Sequence, residues 1–370
     1  MHRTDHVLRS QSIGSHKTLS SFHFGTPGTR PKIYIQASLH AEELPGMLAA
    51  HHLRGLLEQA DVQGQIQGEI ILVPLANPIG LAQRLDHKPM GRFELNTSEN
   101  FNRHFPDLCA VVLPLIEGKL GSDGDANVAT IRDAMAAYLH AWQPHTELAS
   151  QRKHLVSLAF DADMVLDLHC DCEAVMHMYT ETPCWSAMEP LARLLGAQAV
   201  LLAKNSGGLS FDECLSGPWW QLADKLPFPI PQGCASTTVE LRGEGDISHA
   251  LGQADAAAIF GFLQHLGAVG GDAPALPELA CAATPLAGAQ FVKSSVPGIL
   301  VFAAKPGDRL VPGDVVAEII DPINGTVHTL RAEVAGIVYA RTTERYATPG
   351  DDLANIAGSI PFRTGNLLGA

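Results

Sequence analysis

The sequence predicts an α/β protein, a mainly parallel or mixed sheet flanked by helices, followed by a small all-β unit. Three observations carry that prediction. From about residue 30 to 268, apolar runs with strand character alternate with segments of helical period, as in sheets covered by helices on both faces. Residues 270–288 are rich in Ala, Pro and Gly and lack any period. Beyond them, turn signals recur at Lys305-Pro306-Gly307-Asp308, Val311-Pro312-Gly313-Asp314, Ile323-Asn324-Gly325 and Thr348-Pro349-Gly350-Asp351, which bound short strands. The expected division is a larger domain over 1–270, a linker over 271–288 and a β domain over 289–370. A length of 370 residues fits two domains better than one.

The elements follow in order. Lys32-Ile33-Tyr34-Ile35-Gln36-Ala37-Ser38-Leu39 reads as a strand that stops at His40. Residues 48–60 are helical by period and follow Pro45, a residue favoured early in helices. Glu69-Ile70-Ile71-Leu72-Val73-Pro74-Leu75-Ala76 is the next buried strand, stopped by Asn77-Pro78. Residues 131–142 and 190–195 read as helices, and 162–168 as a strand ending at His169. Residues 199–202 and 236–241 are further strands, and 254–266 is a closing helix.

Composition excludes several classes. The chain is 46% hydrophobic and 17% charged, with no long run of one sign. A net charge of −14 argues against nucleic acid as a partner, because phosphate binding needs clustered Lys and Arg. Seven cysteines form an odd set without Cys-x-x-Cys spacing, so a disulfide framework is not expected and a reducing cytoplasm fits. Met1-His2-Arg3-Thr4-Asp5-His6 leads into polar sequence, and no apolar segment approaches the roughly 20 residues of a membrane span. The expectation is a soluble cytoplasmic protein with no membrane partner. A homo-oligomer is compatible with the sequence, which does not determine the oligomeric state.

Open α/β sheets bind ligands outside the carboxyl ends of their strands. His40, Asn77, His169 and Glu240 all fall at or near such ends. His40 and Glu43, three residues apart, with the remote His169 make two imidazoles and one carboxylate, the ligand set of a catalytic zinc with an open fourth position. The short pair alone is common by chance; convergence at one sheet edge gives it weight. Glu240 is the candidate general base, with a strand-end carboxylate paired to Arg242 or simply solvated as its plain alternative. Asn102-Arg103 is the candidate anion clamp, since a guanidinium grips a carboxylate through two parallel hydrogen bonds. His51-His52, Cys170 with Cys172, and Gly207-Gly208 read as helix surface, buried thiols and loop. No Gly-x-Ser-x-Gly elbow and no phosphate-cradling Gly-Lys-Ser/Thr sequence occurs.

Taken together, the residues resemble the succinylglutamate desuccinylase/aspartoacylase family of the zinc carboxypeptidase superfamily. His40-x-x-Glu43, Ala76-Asn77-Pro78, Asn102-Arg103-x-Phe105-Pro106, Asp167-Leu168-His169 and Val239-Glu240-Leu241 match its landmarks in order, and the likeness spans about residues 30–360. The resemblance implies a zinc carboxypeptidase-like fold with a C-terminal β module, and hydrolysis of the amide of a small N-acyl amino acid or related amine. It implies that His40, Glu43 and His169 hold one Zn2+, that Glu240 is the base, and that Asn102 and Arg103 receive the substrate carboxylate. It also implies an Arg that polarises the scissile carbonyl: Arg92 is the choice, because Phe93 follows it, with Arg84 as competitor. A family Tyr near the site has two candidates, Tyr339 and Tyr346, that no motif separates. Ala41-Glu42 in place of the commoner Gly-Asn, and Cys170 after the third ligand, leave the substrate open. Two alternatives stand beside this reading: a carboxypeptidase-like peptidase with the same site, and a non-catalytic metal-binding or interaction protein. The Pro-Gly-Asp turns resemble the barrel-sandwich modules of biotinyl and lipoyl carriers. The last lysine, Lys305, sits near the module's start, so a packing or site-covering role is expected instead.

Overall fold

The apolar runs before residue 286 come together as one nine-stranded sheet, and the computed structural model describes residues 1–369. The strands are β1 (His2–Val7), β2 (Thr18–Phe24), β3 (Lys32–Ala37), β4 (Glu69–Val73), β5 (Met164–Asp171), β6 (His177–Glu181), β7 (Ala199–Ala203), β8 (Ala235–Gly243) and β9 (Thr284–Pro285). Their order across the sheet is β1-β2-β4-β3-β5-β8-β6-β7-β9. The centre, β4-β3-β5-β8, is parallel, while β1 and β2 run antiparallel at one side and β6 reverses against β8 at the other. Every residue of β3 and β4 is buried, as expected of parallel strands covered on both faces.

The covering helices are α1 (Leu44–Val62), α2 (Gly124–Ala141), α3 (Glu147–Ala159), α4 (Trp185–Leu195), α5 (Phe211–Lys225) and α6 (His249–His265). Strand side chains alternate between faces, so Ile33, Ile35, Leu166, Leu168, Val239 and Leu241 pack with α1, α4 and α6. Tyr34, Ile71, Val73 and Val165 face the other way, into a second core with α2, α3 and α5. Along that second face, toward the carboxyl ends, the apolar residues give way to Gln36, Asp167, His169, Thr238 and Glu240. The core therefore grades into a polar site without a change of register.

Most expected elements are present with shifted ends. His169 lies inside β5, and α1 begins at Leu44 directly after Glu43. The antiparallel edge β1-β2, helices α3 and α5 and strand β6 were not expected. Helix α5 carries Gly217-Pro218 in its middle, and α3 buries Gln151 and Arg152, so neither shows a clean apolar stripe. The expected linker is more than a tether: its Thr284–Pro285 is β9, paired with β7.

The later strands are β10 (Gln290–Lys293), β11 (Gly298–Phe302), β12 (Arg309–Leu310), β13 (Val315–Asp321), β14 (Thr326–Arg331), β15 (Gly336–Arg341), β16 (Tyr346–Ala347) and β17 (Asp352–Gly358). They form two sheets, β10-β17-β15-β12 and β14-β13-β11-β16, around Val292, Leu300, Val316, Ile319, Val338 and Ile356. In each Pro-Gly-Asp turn the carboxylate accepts the N–H three residues back: Asp308 from Lys305, Asp314 from Val311 and Asp351 from Thr348, at 2.9, 2.8 and 2.7 Å. Glu173–Ala174, just beyond β5, pairs with β15 and joins the two parts. Among the described residues no helix is long and apolar enough to cross a membrane.

The start of α1 is set by a close approach. A Cβ on Gly46 would lie 2.8 Å from Leu168 O and 3.2 Å from Ala37 Cβ, so the helix sits against β3 and β5 with no room to spare. We expect Gly46→Ala to lower unfolding free energy by about 1–3 kcal/mol, as for other overpacked sites, and to reduce bound metal because Glu43 precedes this turn. Chemical denaturation with elemental analysis checks both.

Candidate active site

The loop after β3 turns sharply. Ser38 has φ of 57°, and its hydroxyl donates to Glu43 O at 3.1 Å. Asn77 holds this loop from the side: its Nδ2 donates to Leu39 O at 2.8 Å while its Oδ1 accepts from Gly80 N at 2.7 Å. His40 and Glu43 are thereby held at the sheet's carboxyl edge beside His169, and all three are buried. Their ligand atoms lie within 4.8 Å of one another. Glu43 bridges the pair, with Oε1 2.9 Å from His40 Nδ1 and Oε2 2.7 Å from His169 Nδ1.

Both imidazoles present Nδ1 to the centre and turn Nε2 outward. His40 Nε2 lies 2.9 Å from Asn100 Oδ1, and His169 Nε2 stands 3.0 Å from Asp167 Oδ2, an ion-pair contact without hydrogen-bond alignment. Asp167 is two residues before His169 on the same strand face. Its Oδ1 accepts from Gln36 Nε2, whose own Oε1 accepts from Tyr34 Oη, both at 2.9 Å. With an oxygen nearest each Nε2, a cation bound at the centre would take the Nδ1 lone pairs and leave the imidazole protons on Nε2. Two imidazoles, one carboxylate and outer acceptors fit a divalent metal with open coordination.

Without a bound cation the two imidazoles differ in charge. Burial lowers the His40 pKa to about 4, with Arg92 adding to the shift, so this imidazole is neutral at pH 7. Burial opposes the His169 cation, but Asp167 and Glu43 outweigh it and hold the pKa well above the usual value. Burial likewise opposes the Glu43 charge, and His169 with His40 overcomes it, keeping the carboxyl well below its usual range. The pocket between Glu43 and Asp167 thus favours positive charge.

Glu240 on β8 is the cross-strand neighbour of His169 on one side and of His177 on the other. Its Oε2 is buried without a partner, and burial, then Glu43, pushes its pKa well up. Arg242 pairs instead with Asp255, at 3.1 and 2.5 Å, which removes the plain ion-pair reading of Glu240. Of the two arginine candidates, Arg92 reaches the centre: its Nη1 lies 3.2 Å from His40 Nδ1 and 3.3 Å from Glu43 Oε1. Arg84 stands exposed on a small hairpin, 3.4 Å from His87 O, away from the cavity. Asn102 is buried, with Oδ1 accepting the first N–H of α5, Phe211 N, at 2.8 Å. Arg103 donates through Nη1 to Asn102 O at 2.7 Å.

One cavity of about 250 Å³ holds all seven residues singled out from the sequence: His40, Glu43, Arg92, Asn102, Arg103, His169 and Glu240. The β unit supplies part of its wall through Phe291, Asp352 and Asn355. Tyr339 is fully buried outside the lining and Tyr346 is exposed; the tyrosine that does line the cavity is Tyr179, opposite Thr238. It does not stand out in sequence because β6, His177-Met178-Tyr179-Thr180-Glu181, is short and mostly polar, with Met178 its one aliphatic residue, and its polar residues face inward to the site. Asn100 was also missed, although it stands two residues before Asn102 and supports His40.

Residues 29–110, which include five of the seven, match the family model of the succinylglutamate desuccinylase/aspartoacylase catalytic domain. The resemblance to that family holds. Two solved structures carrying the succinylglutamate desuccinylase/aspartoacylase name share the fold over nearly the whole chain. The one from Shewanella frigidimarina NCIMB 400 has 22% identity and a TM-score of 0.84, covering 96% of this chain and 97% of its own. The one from Shewanella amazonensis SB2B has 24% identity and a TM-score of 0.82, covering 96% and 98%. The product-bound ectoine utilization protein EutE (DoeB) from Ruegeria pomeroyi has 17% identity and a TM-score of 0.66, covering 96% and 93%. These likenesses are of fold and extend through the C-terminal sheets. No curated protein matches the chain.

Deeper in the cavity, burial raises the Glu181 pKa to about 8, while Ser216 Oγ and Trp220 Nε1 donate to it at 2.5 and 2.7 Å. The acid binds its proton more tightly folded than unfolded, so stability is fully present below about pH 4.5 and is lost as pH rises through about 8. Glu181→Gln should flatten the fall in thermal midpoint between about pH 5 and 8; an unchanged fall would assign it to other groups.

Proposed function

We propose that the protein is a zinc-dependent amide hydrolase that deacylates a small N-acylated amino acid or related amine. The observation that carries this is the convergence of His40 Nδ1, His169 Nδ1 and the Glu43 carboxylate in a cavity shared with Glu240 and two arginines. When bound there, a divalent metal supplies Lewis acidity and brings the pKa of water toward 7. Zinc is the choice for a His₂Glu set with open coordination. Glu240 takes the proton of the attacking water and delivers it to the departing amine nitrogen, the two halves of general acid–base catalysis. Burial and Glu43 disfavour the Glu240 charge, so a cation held by His40, Glu43 and His169 would be what keeps it ionised as a base and still able to hold the proton between the two steps. Arg92 donates to the oxyanion that develops from the scissile carbonyl. Asn102 and Arg103 bind the substrate carboxylate and set the amide's position.

The β wall over the cavity favours a small substrate over an extended peptide. We assign the reacting groups to residues 1–270 and the covering role to the β domain over 289–370. All seven cysteines are free, which supports a reducing, cytoplasmic setting.

Glu240→Gln should retain the metal and lose at least about 100-fold in kcat, the usual range for an acid–base residue. The assay is a panel of N-acetyl and N-succinyl amino acids and short peptides on protein of verified metal content. Near-normal turnover in that variant would sink the role of Glu240, and hydrolysis confined to peptides would favour a peptidase. His169→Ala should lower zinc stoichiometry by elemental analysis. Chelation should abolish activity and zinc add-back restore it; activity indifferent to both would falsify the metal assignment.

A further inference from the structure

Gly207 and Gly208 have φ of 98° and 87°, a backbone region that suits glycine, and each backs onto another residue. A Cβ on Gly208 would stand 2.6 Å from Arg103 Cδ, and one on Gly207 would stand 2.7 Å from Asn366 Oδ1. The two glycines therefore seat the Arg103 stem and the chain around Asn366 side by side. That chain is tied down along its length. Leu367 and Leu368 N–H both donate to Ser206 O, at 2.8 and 3.2 Å. Arg363 donates to Leu367 O at 2.5 Å, and its guanidinium lies 4.0 Å from the centroid of Phe291, a cavity residue. Leu367 is buried in one apolar cluster with Leu201, Leu286 and Tyr339. The run ends at Arg103, whose Nη2 donates to Gly369 O at 2.6 Å.

We propose that residues 366–369 are a strap belonging to the substrate site, which pins Arg103 in the pose that receives a carboxylate. The proposal rests on the reading of Arg103 as the anion clamp. Gly369 O takes a donor of Nη2 and Asn102 O takes one of Nη1, so the fork is held by main-chain oxygens on two of its nitrogens. Its other N–H groups are left for a ligand, and Leu368 and Gly369 stand beside it in the cavity wall. A guanidinium fixed before binding loses less side-chain freedom when a carboxylate arrives, and that saving appears as affinity. The strap residues act through Arg103 and are positioning residues.

The test is succinate binding by titration calorimetry to the zinc-loaded protein, with zinc content and thermal midpoint recorded for every variant. Ending the chain after Gly365 should weaken the succinate Kd by about tenfold or more, and Arg103→Ala should weaken it to a similar degree. Combining the two should add less than about twofold to Arg103→Ala alone, because the strap has nothing left to position. Gly207→Val, which drives a side chain into Asn366, should reproduce the shortened chain and serves if that chain does not fold. Succinate affinity within about twofold of the full chain in both strap variants would overturn the proposal. So would a loss that recurs undiminished in the Arg103→Ala background. Failure of succinate to bind the full chain, or of Arg103→Ala to weaken it, would instead remove the clamp reading itself and the strap with it.

Discussion

The carboxylate of Glu43 is the point at which the rest of the site is tied together. It immediately precedes α1, accepts from Cys170 N at 3.2 Å, and lies between the Nδ1 atoms of His40 and His169. Through it the loop after β3, the end of β5 and the first turn of α1 share one buried charge. Such a charge is tolerated only because it is surrounded by donors and cations: charge-assisted hydrogen bonds contribute on the order of 1.5–3 kcal/mol each, whereas a buried carboxylate without partners costs several. Asn77 and Asn100 serve the same arrangement from outside, one holding the loop and the other the ring of His40.

The sheet explains why these groups meet. Parallel strands β3, β5 and β8 deliver Glu43, His169 and Glu240 to one edge, and the period of two puts Asp167 and His169 on the same face. This part was legible in the sequence, because long apolar runs ending in polar residues mark both the strand and its end. His40, His169 and Glu240 stood out in that way, whereas Asn102-Arg103 stood out only by its chemistry, an amide beside a guanidinium in a loop. Arg92 and Arg84 could not be separated by sequence alone, since their difference is that one chain turn faces His40 and the other faces solvent.

What stayed hidden shares one physical cause. Tyr179, Glu181 and Asn100 are polar residues turned inward, and an inward polar residue looks in sequence like an outward one. Strand β6 is too short and too polar to read as a buried strand, yet Tyr179, Thr180 and Glu181 meet the cavity. Helix α5 is interrupted by Gly217-Pro218 and buries Asp212 and Ser216 against the site, so its pattern is neither surface nor core. Gly207-Gly208 advertised only a turn; its use is to let Arg103 and Asn366 come close.

The pairing of Glu173–Ala174 with β15 has a consequence for how this chain can be divided. The strand bearing His169 runs within two residues of a segment stitched into the C-terminal sheet, and Arg341 and Arg345 donate to Glu173 across the same junction. Excision of the β portion would bare that strand pair, leave Glu173 without its cations, and open one side of the cavity to bulk water. The two portions are separable on a diagram of the chain but not in operation. Neither half could be exchanged between proteins without rebuilding the seam that lies closest to His169.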